Sequence, residues 1–124
     1  MGWMNAPFAG SAWATNADAG IAINAAMRHG FGAIAYSPST GRWGTAYGFD
    51  DEASAERTAL SYCGARDAAV LVWARSMFLA LARADDGSFG WAWNARAKDA
   101  EKLALKACRG PNAQILVLFH SRNG

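Results

Sequence analysis

Residues 41–48 read GRWGTAYG and residues 87–94 read GSFGWAWN, so two stretches 46 residues apart share the pattern Gly-x-aromatic-Gly-x-Ala-aromatic. The likeness continues downstream at an offset of 45, where Cys63 matches Cys108 and the apolar run 70–72 matches 115–117. Self-similarity at a fixed period indicates a duplicated structural unit. The chain therefore contains an internal repeat, and this repeat decides the fold.

Each copy predicts strand, turn, strand, helix, strand, because short β-runs precede a helical pattern and a second apolar run follows it. A single ββαβ unit buries little, so the two must pack together. We therefore expect an α+β fold in which two pseudo-symmetric ββαβ repeats, about residues 31–74 and 77–120, share one mainly antiparallel sheet with two helices packed on it. The last strand of each repeat, 69–73 and 114–119, is continuously apolar, which predicts a central position.

The stretch YSPSTGRWGTAYGF (residues 36–49) carries several hydroxyl groups and has the look of a nucleophile or phosphate site. In the second copy the same joint is Asp85-Asp86-Gly87, a β-hairpin signal. We therefore interpret the stretch as a hairpin. Asp50 or Asp51 is expected to cap the first helix, and Asn94 the second.

Composition indicates a globular protein, since 52% of the 124 residues are hydrophobic and 18% are charged. The net charge of +2 is too small, and its arginines too scattered, to predict a nucleic-acid surface. The chain has no apolar run of 18 or more residues, so no membrane span is expected.

Residues 1–30 are rich in Ala and Gly and precede the repeats, which form a single predicted domain over residues 31–124. This segment is either a remnant of an export signal, with a small-x-small motif at 12–14, or an apolar arm that docks on another surface. As an arm, its contacts would be Trp3, Phe8 and Trp13.

The residues that could carry chemistry form no convincing catalytic set. Cys63 and Cys108 are either buried thiols or a disulfide that joins the repeats, and no Cys-x-x-C spacing favours redox catalysis. His29 and His120 have no further ligands for zinc. Adjacent acids at 50–52 and 85–86 are expected to cap a helix and to form a turn. We therefore expect no enzyme, no metal and no cofactor.

Aromatic side chains on the second strand of each hairpin are the most informative candidates for function. Their spacing of two or four places each set on one face of its strand. They are either core beneath the helices or, if the helices cover the opposite face, an open platform for a protein or a glycan. The residues of the predicted platform are Trp43, Tyr47, Trp91 and Trp93, with Phe89 beside them, and the flanking arginines are Arg42, Arg75 and Arg96.

The hairpin GAIAYSPSTGRWGTAYG, the helices that end in Cys63 and Cys108, and the strand VLVW resemble a bacterial family known as domain of unknown function 4189. The resemblance covers about residues 31–120. It implies small, mostly exported bacterial proteins, hence a periplasmic or secreted location, and it implies no activity, cofactor or catalytic residue. Members commonly have a second cysteine just before the next strand. Here those positions hold Ala68-Ala69 and Asn112-Ala113, so the local disulfides of the family cannot form.

The function expected from the sequence is therefore a small non-catalytic binding or accessory module. It would act on another protein through the aromatic face and the N-terminal arm, as a secreted effector or as a subunit of a larger complex. The alternative is a small hydrolase directed at the cell wall, or a glycan-binding domain. A cleft joining Asp50, Arg75 or His120 would favour the enzyme.

Overall fold

The computed structural model describes residues 30–124, so the predictions for the N-terminal arm, including Trp3, Phe8, Trp13 and His29, fall outside the described residues. The described elements are β1 (Phe31–Tyr36), β2 (Trp43–Phe49), α1 (Glu52–Cys63), β3 (Ala69–Arg75), β4 (Phe78–Arg83), β5 (Phe89–Asn94), α2 (Ala97–Ala107) and β6 (Gln114–His120). This order confirms the α+β class and the two ββαβ repeats.

The two repeats do not share a sheet, and that part of the prediction is wrong. Each repeat closes its own three-stranded antiparallel sheet, with strand orders β2-β1-β3 and β5-β4-β6. The first strand of each repeat takes the centre and pairs with both of its partners. The repeats then meet face to face instead of edge to edge.

Side chains on the central strands explain this stacking, because they alternate in size between the two faces. Ala33 and Ala35 of β1 pack under α1 in one cluster, and Ala80 and Ala82 of β4 pack under α2 in another. The opposite faces carry larger side chains that form a third cluster between the sheets: Ile34, Tyr36, Val72, Leu79 and Leu81. The result is four layers in the order α1, first sheet, second sheet, α2.

Strands β3 and β6 lie at sheet edges, so the prediction that they are central is wrong. Their apolar runs have another cause. Each sheet is covered by a helix on one face and by the other sheet on the second face, so even an edge strand buries side chains in both directions. A continuous apolar run therefore indicates that both faces of a strand are covered, and it does not indicate whether the strand is central or at an edge.

Close backbone contact fixes each helix against its sheet. A Cβ added at Gly44 of β2 would overlap backbone atoms of Ala59 and Cys63 in α1, and one added at Gly90 of β5 would overlap backbone atoms of Ala104 and Cys108. Only glycine allows this approach. The repeated glycines at these positions therefore set the distance between helix and strand.

Turns and caps follow the predicted chemistry with one exception. The β1–β2 hairpin closes with a hydrogen bond from Ser37 N to Arg42 O, which confirms the hairpin. Asp51 caps α1 by accepting from Ser54 N at 2.7 Å. Asn94 does not cap α2, which begins at Ala97 after an Arg96 that provides no side-chain cap. The Asn94 side chain accepts from Arg96 N instead.

Candidate functional site

The predicted aromatic platform is split between two strands with different surroundings. Because Gly44 and Gly90 face the helices, the aromatic side chains of β2 and β5 point away from the helices and toward the opposing sheet. On β5, Phe89, Trp91 and Trp93 are half-buried and pack against the cluster between the sheets. The ring of Phe89 lies 4.6 Å from that of Tyr36.

On β2 the equivalent aromatic side chains are exposed. Trp43 is 39% exposed and Tyr47 is 52% exposed, and Tyr62 of α1, at 71%, lies on the same side of the molecule. Two adjacent depressions of about 370 and 300 Å³ share Thr45, Tyr47 and Tyr62 in their lining. We call this surface, lined by Trp43, Thr45, Tyr47, Thr58 and Tyr62, the β2 groove.

The β2 groove runs beside a strand edge that pairs with no other strand among residues 30–124. In the antiparallel β1–β2 pair, Ser37 N bonds to Arg42 O, so hydrogen-bonded positions on β2 alternate from Arg42 through Gly44 to Ala46. The N–H and C=O groups of Trp43, Thr45 and Tyr47 therefore point away from β1. Because β2 is the edge of its sheet, these groups face outward.

The Tyr47 ring is held from beneath. Its centroid lies 6.4 Å from that of Phe119 on β6, and it contacts Gly124 near the end of the chain. Gly48 N also donates to Ser121 O at 2.8 Å. These contacts from the second repeat support the strand whose edge is open.

Sequence reasoning missed Thr45 and Tyr62. Tyr62 lies on the exposed side of α1, and the equivalent position in the second repeat is Ala107. An aromatic residue on the polar side of a helix, where the other repeat has alanine, is the signal that could have found it.

The three candidate arginines lie in three different places. Arg42 is exposed beside the end of α1, where a Cβ on Gly64 would meet its guanidinium. Arg96 is exposed at the start of α2. Arg75 is buried, and its guanidinium lies 5.6 Å from the centroid of the Phe31 ring. Only Arg42 adjoins the β2 groove.

Both cysteines are free and buried, and they lie in different clusters. Cys63 donates a weak hydrogen bond to Arg42 O and Cys108 donates one to Ser88 O, each at 3.4 Å. These clusters lie on the outer sides of the two sheets. The repeats are therefore not joined by a disulfide in this structure.

The hydroxyl-rich turn is an internal hydrogen-bond network. The buried Ser37 hydroxyl donates to Asp67 and accepts from the Thr40 hydroxyl at 2.8 Å. Ser39 N also donates to Asp67. These bonds lower the pKa of Asp67, the Ser37 hydroxyl having the largest effect. They tie the hairpin to the loop after α1.

Two glutamates on α1 form a pair that sequence reasoning did not single out. Desolvation and the neighbouring Glu52 carboxylate raise the pKa of Glu56 to about 7. Burial also raises the pKa of Glu52. At position 120, desolvation and the nearby charge of Arg122 lower the pKa of His120, whose Nδ1 accepts from Arg122 N. Within residues 30–124, no three His, Cys, Asp or Glu side chains group as metal ligands do.

Two larger depressions, of about 410 and 540 Å³, lie along α2 and are lined mainly by charged side chains such as Lys102 and Asp99. Asp50, Arg75 and His120 line neither these nor the depressions of the β2 groove. The described helices are all too short or too polar to cross a membrane.

The chain belongs to the family described as Domain of unknown function (DUF4189), whose model matches residues 31–117. This confirms the resemblance. The chain is also similar to Rv1813c from Mycobacterium tuberculosis, solved by NMR, with 26% identity and a TM-score of 0.59 over 74% of this chain and 75% of that one. No curated protein matches the chain.

Proposed function

We propose that this member of the DUF4189 family is a non-catalytic module that binds another protein by adding an extended segment of it to the edge of β2. The observation that carries the proposal is the outward-facing backbone of Trp43, Thr45 and Tyr47 beside exposed aromatic side chains. Strand addition gives affinity through main-chain hydrogen bonds and specificity through alternate side chains.

The aromatic side chains lie where the side chains of an added strand would point. Those side chains would alternate between two faces. On one face they would meet Trp43 and Tyr47, and on the other they would meet Tyr62 of α1. Trp and Tyr are the residue types that contribute most to protein interfaces. Both faces of the added segment therefore have a partner.

The exposure of the β2 edge is a second argument for a binding partner. Exposed strand edges promote aggregation, and proteins usually protect them with charges, proline or bulges. The β2 segment Trp43–Tyr47 carries no charged residue or proline, and its protection is limited to the register shift beside Gly48, whose N–H bonds to Ser121 O. A partner segment that covers this edge would remove the hazard.

The test uses Thr45→Pro, which removes the outward N–H at the centre of the edge. Because this N–H makes no bond to β1, proline is compatible with the sheet at this position. The matched control is Thr45→Val, which keeps the N–H and loses only the hydroxyl. Circular dichroism verifies that both variants fold.

Immobilised wild-type protein and the Thr45→Val control should retain the same protein from the native host, whereas Thr45→Pro should lose it. Hydrogen exchange of the complex formed with that purified protein should then slow at the amides of Trp43, Thr45 and Tyr47. Equal retention by Thr45→Pro, or unchanged exchange at these amides, would contradict strand addition.

A glycan ligand is the alternative that the exposed rings favour. Sugars would stack on the rings and would not need the strand edge, so Thr45→Pro would bind normally while Trp43→Ala combined with Tyr47→Ala would not. Leu103→Ala, which removes an exposed apolar side chain from α2, is the control for both experiments. The pattern of loss therefore distinguishes a protein segment from a glycan.

We further propose that the module acts outside the cytoplasm, as a secreted effector or as an accessory subunit of an exported complex. The support is the exported character that the family resemblance implies. Fractionation of the native host, with N-terminal sequencing of the recovered protein, tests this location. Recovery only from the cytoplasm would contradict it.

A further inference from the structure

Equivalent positions of the two repeats differ sharply at the ends of β3 and β6. Arg75 pairs with Phe31 across the first sheet, and His120 pairs with Phe78 in the same way across the second. Each is followed by a serine, Ser76 or Ser121. The second repeat thus provides an internal reference for the first.

In the second repeat the polar groups at this position have partners. The Ser121 hydroxyl accepts from Met77 N at 2.9 Å, and Ser121 N donates to Met77 O at 2.7 Å. His120 Nδ1 accepts from Arg122 N at 3.1 Å. The buried serine and its neighbour are therefore satisfied within the chain.

In the first repeat only part of this arrangement remains. Ser76 N donates to Gly30 O, as Ser121 N does to Met77 O. The Ser76 hydroxyl, however, is buried and has no hydrogen-bond partner among residues 30–124. Arg75 is only 7% exposed, and its Nε is likewise buried without a partner in this part of the chain. Two adjacent residues thus hold unsatisfied polar atoms.

Such a pair is unusual, because nearly all buried polar atoms in native proteins have a partner and a buried charge without one is costly. The Phe31 ring attracts the guanidinium but offers no acceptor in line with Nε–H. By contrast, Arg83 donates from Nη1 to Gly41 O at 2.8 Å. An acceptor in line with Nε–H would satisfy Arg75, and an acceptor with negative charge would also compensate the cation.

We propose that Arg75 and Ser76 form a binding site for an anionic oxygen group, either a carboxylate or a phosphate. Arginine donors match the oxygen atoms of both groups, and a serine hydroxyl supplies a further donor. The site lies at the end of β3, the edge strand opposite to β2 in the same sheet. It is therefore separate from the β2 groove.

The test is a titration of the full chain with inorganic phosphate and, separately, with acetate, each against sodium chloride at matched ionic strength. In heteronuclear NMR spectra the Arg75 Nε–H signal should shift saturably with one of the two anions, which identifies the group. The melting temperature should rise by at least about 5 °C at ten times the Kd.

Arg75→Met should abolish the rise in melting temperature, and Arg96→Met should keep it. If Arg75→Met does not fold, Ser76→Ala provides the second variant, for which the affinity should fall several-fold. A site filled only by water would overturn the proposal: the Arg75 Nε–H signal and the melting temperature would then respond equally to chloride, phosphate and acetate. An equal response of Arg96→Met and Arg75→Met to the anion would overturn it as well.

Discussion

Ser76 and Ser121 occupy equivalent positions, yet only the replacement of Ser121 by alanine should lower the stability. Ser121 is fully buried and its hydroxyl accepts from Met77 N. Ser121→Ala removes this acceptor and leaves the partly buried N–H of Met77 without it. The lost hydrogen bond and the desolvated N–H together should lower the free energy of unfolding by about 1–3 kcal/mol.

Ser76→Ala removes a buried hydroxyl that makes no hydrogen bond to any described residue. No partner is left unsatisfied, so the free energy of unfolding should stay within about 0.5 kcal/mol of the wild type or rise. The two variants make the same chemical change in the same structural setting. The difference between them therefore isolates the one hydrogen bond that the second repeat has and the first lacks.

Urea unfolding followed by tryptophan fluorescence measures both values, with the slope of each transition as a check that the unfolded state is unchanged. The melting temperature of Ser121→Ala should fall by several degrees, since about 1 kcal/mol shifts it by about 4–8 °C in a domain of this size. Equal destabilisation by the two variants would refute the argument. So would a Ser121→Ala protein as stable as the wild type.

Three further predictions concern the packing, the pH dependence and the turn. Gly44→Ala should lower the free energy of unfolding in urea by at least about 3 kcal/mol, because the new Cβ overlaps the backbone of α1. Gly87→Ala should lower it by only about 1–2 kcal/mol, because its Cβ meets no atom and only the φ of +89° is unfavourable. Equal losses would contradict the packing argument. The raised pKa of Glu56 means that the folded state binds more protons than the unfolded state between about pH 4.5 and 7, so the urea midpoint should fall as pH rises through this range. Glu56→Gln should lessen that fall, and a fall of unchanged size would exclude this carboxyl as its cause. Ser37→Ala should destabilise by about 0.5–1.5 kcal/mol, because it removes the hydrogen bonds of the buried hydroxyl to the exposed side chains of Thr40 and Asp67, and Thr40→Val should cost less; the reverse order would contradict the network.

The sequence predicts the elements of this fold because they are repeated. The glycines at 44 and 90, the hairpin joints and the helix-terminal cysteines each occur twice, and every one marks a position where only one conformation or size is compatible. The apolar runs of β3 and β6 predict central strands, whereas the structure places both at sheet edges, since an apolar run depends on which faces are covered. A strand has the same apolar sequence whether the two repeats share one sheet or stack two sheets face to face.

The candidate site was predicted in part. Trp43 and Tyr47 were named from their spacing, and the structure places them on the open edge of β2. Their counterparts Trp91 and Trp93 have the same spacing but are half-buried, because neighbours from the other repeat cover them. Burial of this kind depends on tertiary contacts, and the periodicity of residues along one strand does not predict those contacts.

Differences between the repeats are the best guide to function in this chain. Duplication first gives both repeats the same contacts, and the shared contacts are those that hold the four layers together. Where equivalent residues differ, the fold does not require the difference. Two such places stand out: the aromatic side chains of β2, exposed where those of β5 are half-buried, and the Arg75–Ser76 pair, which lacks the hydrogen bonds that Ser121 and His120 Nδ1 make.

Both places lie in the first repeat, on opposite edges of one sheet. The second repeat contributes the support: Phe119 and Gly124 contact Tyr47, and Ser121 binds the end of β2. One copy thus supports the fold, while the other carries exposed aromatic side chains and buried polar atoms without a partner in the described part of the chain. On this argument, a variant in which β2 residues are replaced by their β5 equivalents should lose binding but keep the fold. The reverse replacement in β5 should not create a second site, because β3 covers the aromatic face of β5.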